Sequence, residues 1–211
     1  MTYTVKEIFY TLQGEGSNTG RSAVFCRFAG CNLWSGLERD RETATCRFCD
    51  TDFIWNESAE GGKFSSPSDL AQTVADKWPK QKDGKPLVVC TGGEPLLQLD
   101  SALIDAFHDR GFEVAVETNG TIEAPNGIDW ICVSPKANAN LVLKYGHEIK
   151  LVFPQEGVSP ELYENLEFQN YYLQPMDGPD RENNTQQAID YCKAHPRWRL
   201  SIQVHKIIGV R

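Results

Sequence analysis

Three cysteines form the part of the sequence with the clearest chemical potential. Fourteen residues separate Cys31 from Cys46, and Cys49 completes a Cys-x2-Cys pair. The segment 31–52 shows little strand or helix periodicity, which is typical of a loop that can wrap a metal centre. Structural zinc takes four protein ligands, whereas three thiolates on a four-iron cluster leave one iron open for another ligand. The Cys-x2-Cys half alone is ambiguous between zinc, iron–sulfur and a redox disulfide.

Composition predicts one globular domain spanning residues 1–211. The chain is 40% hydrophobic and 24% charged, which is ordinary for a globular protein with a substantial core. A net charge of −8 argues against a nucleic-acid partner, because phosphate binding needs a basic surface. No apolar run approaches the roughly 20 residues of a membrane span. Seven unevenly clustered cysteines indicate metal ligands and buried thiols in a cytoplasmic protein rather than a disulfide frame.

Hydrophobic periodicity alternates between strands and helices. Strands are predicted at 4–12, 22–28, 87–91, 113–118, 130–133, 148–153 and 200–204. One helix is predicted to begin after the capping residue Ser66, and another to run from Pro95 to Gly111. Further helices are predicted at 160–166 and 181–194, whereas 56–64 reads as a surface loop. Short apolar strands alternating with helices predict a parallel α/β fold.

Polar residues cluster after the ends of predicted strands. They are Thr91-Gly92-Gly93-Glu94, Glu117-Thr118-Asn119, Ser134-Pro135-Lys136 and Gln174-Pro175-Met176-Asp177. Barrel enzymes place their active sites at this rim. A dinucleotide-binding fold is less favoured, because no Gly-x-Gly-x-x-Gly opens a helix.

The two strands before the cysteine loop add further candidates. Gln13-Gly14-Glu15-Gly16 follows the first strand, and its glycines allow the backbone to approach a ligand closely. Arg27 interrupts the second strand next to the cysteine loop, where it could bind a carboxylate. The remaining cysteines match no motif and are expected to be small buried residues: Cys26, Cys90, Cys132 and Cys192.

In combination these motifs resemble the radical S-adenosylmethionine superfamily, and more narrowly the 7-carboxy-7-deazaguanine synthase family. The resemblance rests on Leu12 to Gly16, Arg27, the three cysteines with Asp50-Thr51, Thr91 to Pro95, Glu117 to Gly120, Ser134 to Lys136, and Gln174 to Asp177. The usual Cys-x3-Cys-x2-Cys is here Cys-x14-Cys-x2-Cys, an insert that occurs within this family. The path of residues 32–45 is therefore not predictable.

The resemblance implies a fold and a reaction. The fold is a partial (β/α)6 TIM-like barrel, a single radical S-adenosylmethionine domain with the cluster-binding loop after the first barrel strand. The reaction is that of a carbon–nitrogen lyase in queuosine and 7-deazapurine biosynthesis. A radical from S-adenosyl-L-methionine on a 4Fe–4S cluster takes a hydrogen from C6 of 6-carboxy-5,6,7,8-tetrahydropterin, and the ring contracts with loss of ammonia. A Mg²⁺ ion, a flavodoxin- or ferredoxin-type reductant and a homodimer are also implied.

The resemblance also implies roles for individual residues, none of them a catalytic side chain, because the radical forms on the cofactor. The implied metal ligands are Cys31, Cys46 and Cys49 for the cluster and Thr51 for Mg²⁺. The implied cofactor contacts are Phe48, Cys49, Asp50, Gly92, Gly93, Glu94, Glu117, Ser134, Pro135, Lys136, Gln174, Pro175, Met176 and Asp177. The implied substrate contacts are Leu12, Gln13, Gly14, Glu15, Arg27, Thr91, His205 and Arg211.

The end of the chain carries a separate prediction. Residues 205–211 include three β-branched apolar residues, so this segment is expected to dock on the body of the protein rather than fray. Docking would place the main-chain carboxylate of Arg211 against neighbouring N–H donors of a pterin, with His205 lining the same pocket.

Two other interpretations fit the cysteines. One is a different radical enzyme, such as a glycyl-radical activase, which would need a protein partner and no pterin pocket. The other is a zinc-stapled binding module with Cys26 as the fourth ligand, which would be colourless and indifferent to S-adenosylmethionine. An anaerobic absorption spectrum distinguishes the zinc module.

Overall fold

Strands and helices alternate along the chain much as the sequence predicts. The computed structural model describes residues 2–57, 60–80 and 84–211. The strands are β1 (Tyr3–Leu12), β2 (Ser22–Phe28), β3 (Gly62–Phe64), β4 (Leu87–Gly92), β5 (Glu113–Thr118), β6 (Trp130–Val133), β7 (Tyr145–Phe153), β8 (Glu167–Pro175) and β9 (Trp198–Leu200). The α-helices are α1 (Pro67–Lys77), α2 (Ser101–His108), α3 (Arg181–Ala194) and α4 (Val204–Ile208).

The strands form one mixed sheet in the order β3-β1-β2-β4-β5-β6-β7-β8-β9. Neighbouring strands from β2 to β9 are parallel, whereas β1 is antiparallel to both β2 and β3. The sheet is not closed, because β3 and β9 each lie at an end of this order. The predicted α/β class is confirmed. The prediction of six βα units is wrong, because two of the connections lack a helix. Within the described chain, no helix lies between β5 and β6 or between β6 and β7.

The two faces of the sheet differ in chemistry. One face packs against the helices in a large apolar core that includes Val88, Val114, Leu103 and Phe107. The opposite face begins with a small apolar cluster of Ala23, Leu87, Val89 and Ala115, against which Phe25 packs.

Alternation along a strand makes this second face polar towards the carboxyl ends. Arg27 comes two residues after Phe25, Thr91 two after Val89, and Glu117 two after Ala115. Because side chains two residues apart on a strand share a face, these polar side chains point to the same side of the sheet as the small cluster. Arg27 is the register partner of Thr91, which places them side by side. The carboxyl ends of these strands therefore present converging polar side chains.

Several predicted helices are confirmed and one is interrupted. Helix α1 follows Ser66, whose side chain accepts from the backbone N–H of Asp69, as its capping role requires. The predicted helix from Pro95 is instead a 3₁₀ turn over Pro95–Leu97 followed by α2. The Asp100 carboxylate accepts from the backbone N–H of Leu103 at 3.0 Å and so starts a new helix. None of the helices in the described ranges has the length and apolar character needed to cross a lipid bilayer.

Three other predictions differ in extent or type. The predicted helix 160–166 is a 3₁₀ turn over Pro160–Tyr163, and the predicted loop 56–64 contains β3, which pairs with β1. The predicted strand 200–204 is wrong, because β9 ends at Leu200 and α4 begins at Val204. The difference comes from a tertiary contact. The backbone N–H of Val204 donates to the carbonyl of Gly14 at 3.0 Å rather than to a neighbouring strand.

Candidate active site

A cavity of about 480 Å³ opens at the carboxyl ends of the parallel strands. All the predicted site residues line it except Cys31, Glu94 and Pro135. Predictions drawn from scattered motifs thus converge on one place. Lining a cavity does not establish what each residue binds, so the individual roles remain predictions.

The three predicted cluster cysteines lie close to one another. All seven cysteines of the chain are free thiols. Cys46 and Cys49 line the cavity, and Cys31 lies on an adjoining groove. Burial raises the pKa of the Cys31 thiol, and the nearby Glu94 and Cys49 raise it further, although backbone N–H groups of the loop oppose this. Burial also raises the pKa of Cys46. A bound metal would reverse this preference, since a coordinating thiol loses its proton.

The number of thiols fits a cluster that leaves one iron open, whereas structural zinc takes four protein ligands. A single zinc ion draws its thiolates to about 2.3 Å from one point. Among the described residues, no group of three His, Cys, Asp or Glu is placed to hold a single metal ion. Cys26 belongs to the main core beside Cys90, on the sheet face away from the cavity, which excludes it as the fourth zinc ligand.

The insert between the cysteines, whose path was not predictable, folds back onto the cluster loop. It contains a 3₁₀ turn over Glu38–Thr43. The Arg41 guanidinium lies 4.1 Å from the ring centroid of Trp34 and donates to the carbonyls of Arg47 at 2.8 Å and Cys49 at 3.0 Å. Arg41 therefore holds the backbone that carries Cys46 and Cys49. Sequence reasoning missed this role, since a charged insert usually reads as a solvated surface.

Two glycines after β4 permit a close backbone crossing. A Cβ atom on Gly92 would lie 2.3 Å from the Phe28 carbonyl oxygen, and one on Gly93 would lie 2.1 Å from that of Gly30. Gly92 also has a φ of 156°, which disfavours other residues. These glycines therefore let the end of β4 pack directly against the start of the cysteine loop.

Glu94 lies behind this crossing and is fully buried. Its carboxylate accepts from the hydroxyl of Thr118 at 2.7 Å and from the backbone N–H groups of Asn119 at 2.8 Å and Leu96 at 2.9 Å. Burial raises its pKa, against the effect of these donors. Because these donors all belong to the protein and Glu94 does not line the cavity, its predicted contact with the cofactor stays a prediction.

Lys136 brings a half-buried cation to the cysteine side of the cavity. Its ammonium donates to the Ser134 carbonyl at 2.8 Å and lies 5.9 Å from the ring centroid of Phe48. Burial lowers the pKa of Lys136, while the nearby Cys46 acts in the opposite direction. This cation can offset anionic charge at the cysteine loop.

On the other side of the cavity, Lys150 of β7 lies between two carboxylates. Its ammonium donates to Glu15 and, at 3.4 Å, to Glu117, and its side chain is only 6% exposed. Burial would raise the pKa of Glu15, but the charge and hydrogen bond of Lys150 lower it to about 2. Glu15 is therefore held as an anion. Lys150 was not among the predicted site residues, although Glu148 and Lys150 alternating within an apolar strand were a signal.

Hydrogen bonds extend this charged group across five segments of the chain. Gln13 and Thr91 donate to Glu117 at 3.0 Å and 3.4 Å, and Gln203 donates to Glu15 at 3.0 Å. The carboxylates are thus oriented by neighbours on both sides.

A second charged group occupies the rim near β1 and β2. Glu7 accepts from Arg27 Nε at 2.6 Å and from the guanidinium of Arg211 at 2.5 Å. The Arg211 guanidinium also lies 4.7 Å from the ring centroid of Phe9, and the Thr11 hydroxyl donates to the Arg211 main-chain oxygen at 2.6 Å. The chain end contacts the body of the protein as predicted, but the predicted apolar basis is wrong, because Ile207, Ile208 and Val210 are 67%, 54% and 37% exposed. Contact of its carboxylate with a substrate stays a prediction.

The C-terminal segment, residues 201–211, crosses the cavity between these groups. At Gly14 it packs so tightly that an added Cβ would lie 2.2 Å from His205 Nδ1. The next residue, Lys206, donates to Asp50 at 2.7 Å and to Asp177 at 2.6 Å. Partial burial lowers the pKa of Lys206, but the hydrogen bonds and charges of Asp177 and Asp50 raise it above its ordinary value. The hydrogen bond from Lys206 in turn lowers the pKa of Asp177.

A cavity at the carboxyl ends of parallel strands, bordered by free thiols and buried ion pairs, defines an enzyme of the α/β class. No family model matches the chain. It is 61% identical to the 7-carboxy-7-deazaguanine synthase of Bradyrhizobium diazoefficiens and 62% identical to that of Caulobacter vibrioides, with full coverage of both chains in each case. The crystal structure of QueE from Escherichia coli is 28% identical, with a TM-score of 0.73, and the match covers 97% of this chain and 95% of that one. The chain belongs to the 7-carboxy-7-deazaguanine synthase family.

Proposed function

We propose that this enzyme converts 6-carboxy-5,6,7,8-tetrahydropterin to 7-carboxy-7-deazaguanine with loss of ammonia, as a lyase of queuosine and 7-deazapurine biosynthesis. The observation that carries the proposal is the convergence of the three-thiol loop and the predicted cofactor and substrate contacts on one cavity of about 480 Å³. That volume is ordinary for a small-molecule site. Full-length identity of 61–62% to enzymes of that name supports the same reaction.

Cys31, Cys46 and Cys49 would hold a 4Fe–4S cluster at the cysteine side of the cavity. Together with bound S-adenosyl-L-methionine, such a cluster would supply radical chemistry for hydrogen abstraction from the substrate. The protein contributes position and exclusion of water. Arg41 supports this by fixing the backbone carbonyls of Arg47 and Cys49.

The cofactor subsite lies between the ends of β4, β6 and β8. The backbone at Gly92 and Gly93 accommodates the amino-acid end of S-adenosylmethionine, and Ser134 and Lys136 bind its ribose and carboxylate. The segments 48–50 and 174–177 frame the adenine. Thr51 lines the same cavity and offers a hydroxyl, a hard oxygen donor suitable for a Mg²⁺ ion that keeps other positions for substrate and water.

The substrate subsite lies on the opposite side, against β1, β2 and the C-terminal segment. Arg27 pairs with the pterin carboxylate, and Glu7 orients its guanidinium beforehand through Nε. Glu15, kept anionic by Lys150, accepts from pterin N–H groups. Glu117, on the other side of the Lys150 ammonium, keeps its predicted role as a cofactor contact. His205 and the main-chain carboxylate of Arg211 complete this side.

We infer that the open sheet curves into a partial barrel. The hydroxyl of Ser201, just after β9, accepts from the backbone N–H of Gly16, just after β1, at 3.0 Å. Gln203 and Val204 bind the same loop. Strands near opposite ends of the sheet order are therefore brought together by their following loops. A homodimer and a flavodoxin- or ferredoxin-type reductant are proposed from the family resemblance.

The test combines cluster variants with isotopic labelling. Anaerobically reconstituted, reduced enzyme is given pterin deuterated at C6, and deuterium is expected in 5′-deoxyadenosine and in recovered S-adenosylmethionine, with 7-carboxy-7-deazaguanine as product. Cys31→Ala, Cys46→Ala and Cys49→Ala are each expected to lose product and label, because each removes a cluster ligand.

Cys192→Ala in α3 is the matched control and is expected to retain the absorption spectrum and turnover. A deazaguanine product without label transfer would mean that another hydrogen is abstracted. A colourless protein that binds zinc and ignores S-adenosylmethionine would overturn the proposed function.

A further inference from the structure

Lys206 is placed where the cofactor and substrate subsites meet. Its backbone belongs to α4 in the C-terminal segment, whose neighbours Gln203, Val204 and His205 contact the loop 13–15 on the substrate side. Its ammonium reaches the other way, to Asp50 and Asp177. One residue thus joins segments that otherwise belong to different sides of the cavity.

The two carboxylates come from separate loops. Asp50 follows Cys49 in the loop after β2, and Asp177 follows β8. Both line the cavity, where the proposed function assigns their segments to the adenine of the cofactor. Two like charges do not approach each other favourably without a cation between them. The contacts of Lys206 therefore favour the same closeness of these loops that a bound adenine requires.

The ion pairs of Lys206 are exposed enough to break and re-form. The side chain of Lys206 is 32% exposed, and those of Asp50 and Asp177 are 55% and 31% exposed. Ion pairs with this exposure contribute little to overall stability and are screened by salt. Such a contact can respond to a ligand without unfolding the protein.

We propose that Lys206 is a positioning residue that couples the two subsites, so that binding of S-adenosylmethionine strengthens binding of the pterin. Ordering of the loops at Asp50 and Asp177 by the cofactor fixes both acceptors of Lys206. Lys206 then holds the C-terminal segment, and with it His205 and Gln203, in place for the substrate. A first ligand that orders a shared element lowers the entropic cost of the second. Coupling of this kind is reciprocal between the two ligands.

The proposal rests on the proposed function and is tested by binding rather than turnover. Pterin affinity is measured by calorimetry on anaerobic, unreduced holoenzyme, with and without saturating S-adenosylmethionine, so that no cleavage occurs. Wild-type enzyme is expected to bind pterin at least fivefold more tightly with the cofactor present, a factor within the usual range of coupling between sites. In Lys206→Met the factor is expected to fall below twofold.

Controls separate coupling from a structural role or a change in net charge. Lys206→Arg keeps a cation and is expected to restore most of the factor, whereas Lys193→Met in α3 removes one exposed positive charge and is expected to leave it unchanged. Adding Asp177→Asn to Lys206→Met is expected to change the factor little, because the interaction is already absent.

Exchange of backbone amides in residues 201–211 supplies a second readout. Saturating S-adenosylmethionine is expected to slow this exchange in wild-type enzyme more than in Lys206→Met. A wild-type factor near one, or an undiminished factor in Lys206→Met, would overturn the coupling role. Failure of wild-type enzyme to bind either ligand would instead overturn the proposed function.

Discussion

Two lysines in the cavity each bind two carboxylates, one pair on the side proposed for the substrate and one on the side proposed for the cofactor. Lys150 lies between Glu15 and Glu117 and is 6% exposed. Lys206 lies between Asp50 and Asp177 and is 32% exposed. The chemistry of the two groups is the same, and their burial differs.

Burial decides what each group can do. A buried carboxylate that loses its cation keeps the cost of its charge, so the Lys150 group is a permanent part of the fold. Exposed carboxylates that lose a cation regain water, so the Lys206 group can open at little cost. The substrate side is thus preorganised, while the connection to the cofactor side is adjustable.

The largest expected effect comes from removing the buried cation. Lys150→Met is expected to lower the free energy of unfolding by about 3–5 kcal/mol, because Glu15 and Glu117 remain without their shared counter-ion. Urea unfolding followed by tryptophan fluorescence, at matched cluster content, measures the change. Lys144→Met, at an exposed lysine just before β7, is the control and is expected to stay within about 0.5 kcal/mol of wild type. Equal effects from the two substitutions would contradict the buried ion pair.

A smaller, pH-dependent effect follows from Glu15. Its folded pKa of about 2 lies below the ordinary value of 4.5, so its pairing stabilises the wild-type protein above that value. This stability is lost as the pH falls from 4.5 through about 2. In Lys150→Met, burial acts without the cation and raises the folded pKa of Glu15, so protonation on acidification relieves the unpaired charge.

The stability deficit of Lys150→Met is therefore expected to shrink between pH 7 and pH 4.5. Unfolding of both proteins at a series of pH values checks this. A deficit that stays constant over that range would show that Glu15 does not respond to Lys150.

Apolar patterns in the sequence predicted part of the fold and part of the cavity. Strands β2, β5 and β6 and helix α3 agree with prediction, because their apolar patterns match the period of the element. The cavity-lining motifs at Gly92, Ser134 and Gln174 lie at the carboxyl ends of β4, β6 and β8, and parallel strands end on one edge. The strand before Gln174 was not itself predicted.

What the sequence could not show depends on contacts between distant segments. Lys206 meets Asp50 across 156 residues, and Gln203 meets Glu15 across 188. No local period encodes such pairs. The same cause explains the wrong strand at 200–204, where a hydrogen bond from Val204 to Gly14 outweighs the strand preference of an apolar run. The insert 32–45 likewise takes its path from Arg41 binding the cluster loop.

The smallest expected effect is that of Lys206 on stability, and it sharpens the contrast with Lys150. Lys206→Met is expected to change the free energy of unfolding by less than about 0.5 kcal/mol, because the exposed Asp50 and Asp177 regain water when the cation is removed. At 1 M salt the Debye length falls to about 3 Å, so the small difference from wild type is expected to vanish there. Unfolding at low and high salt, beside Lys193→Met, measures this. A loss as large as that of Lys150→Met would mean that Lys206 is a fixed structural contact, and a contact that cannot open cannot transmit the binding of one ligand to the other.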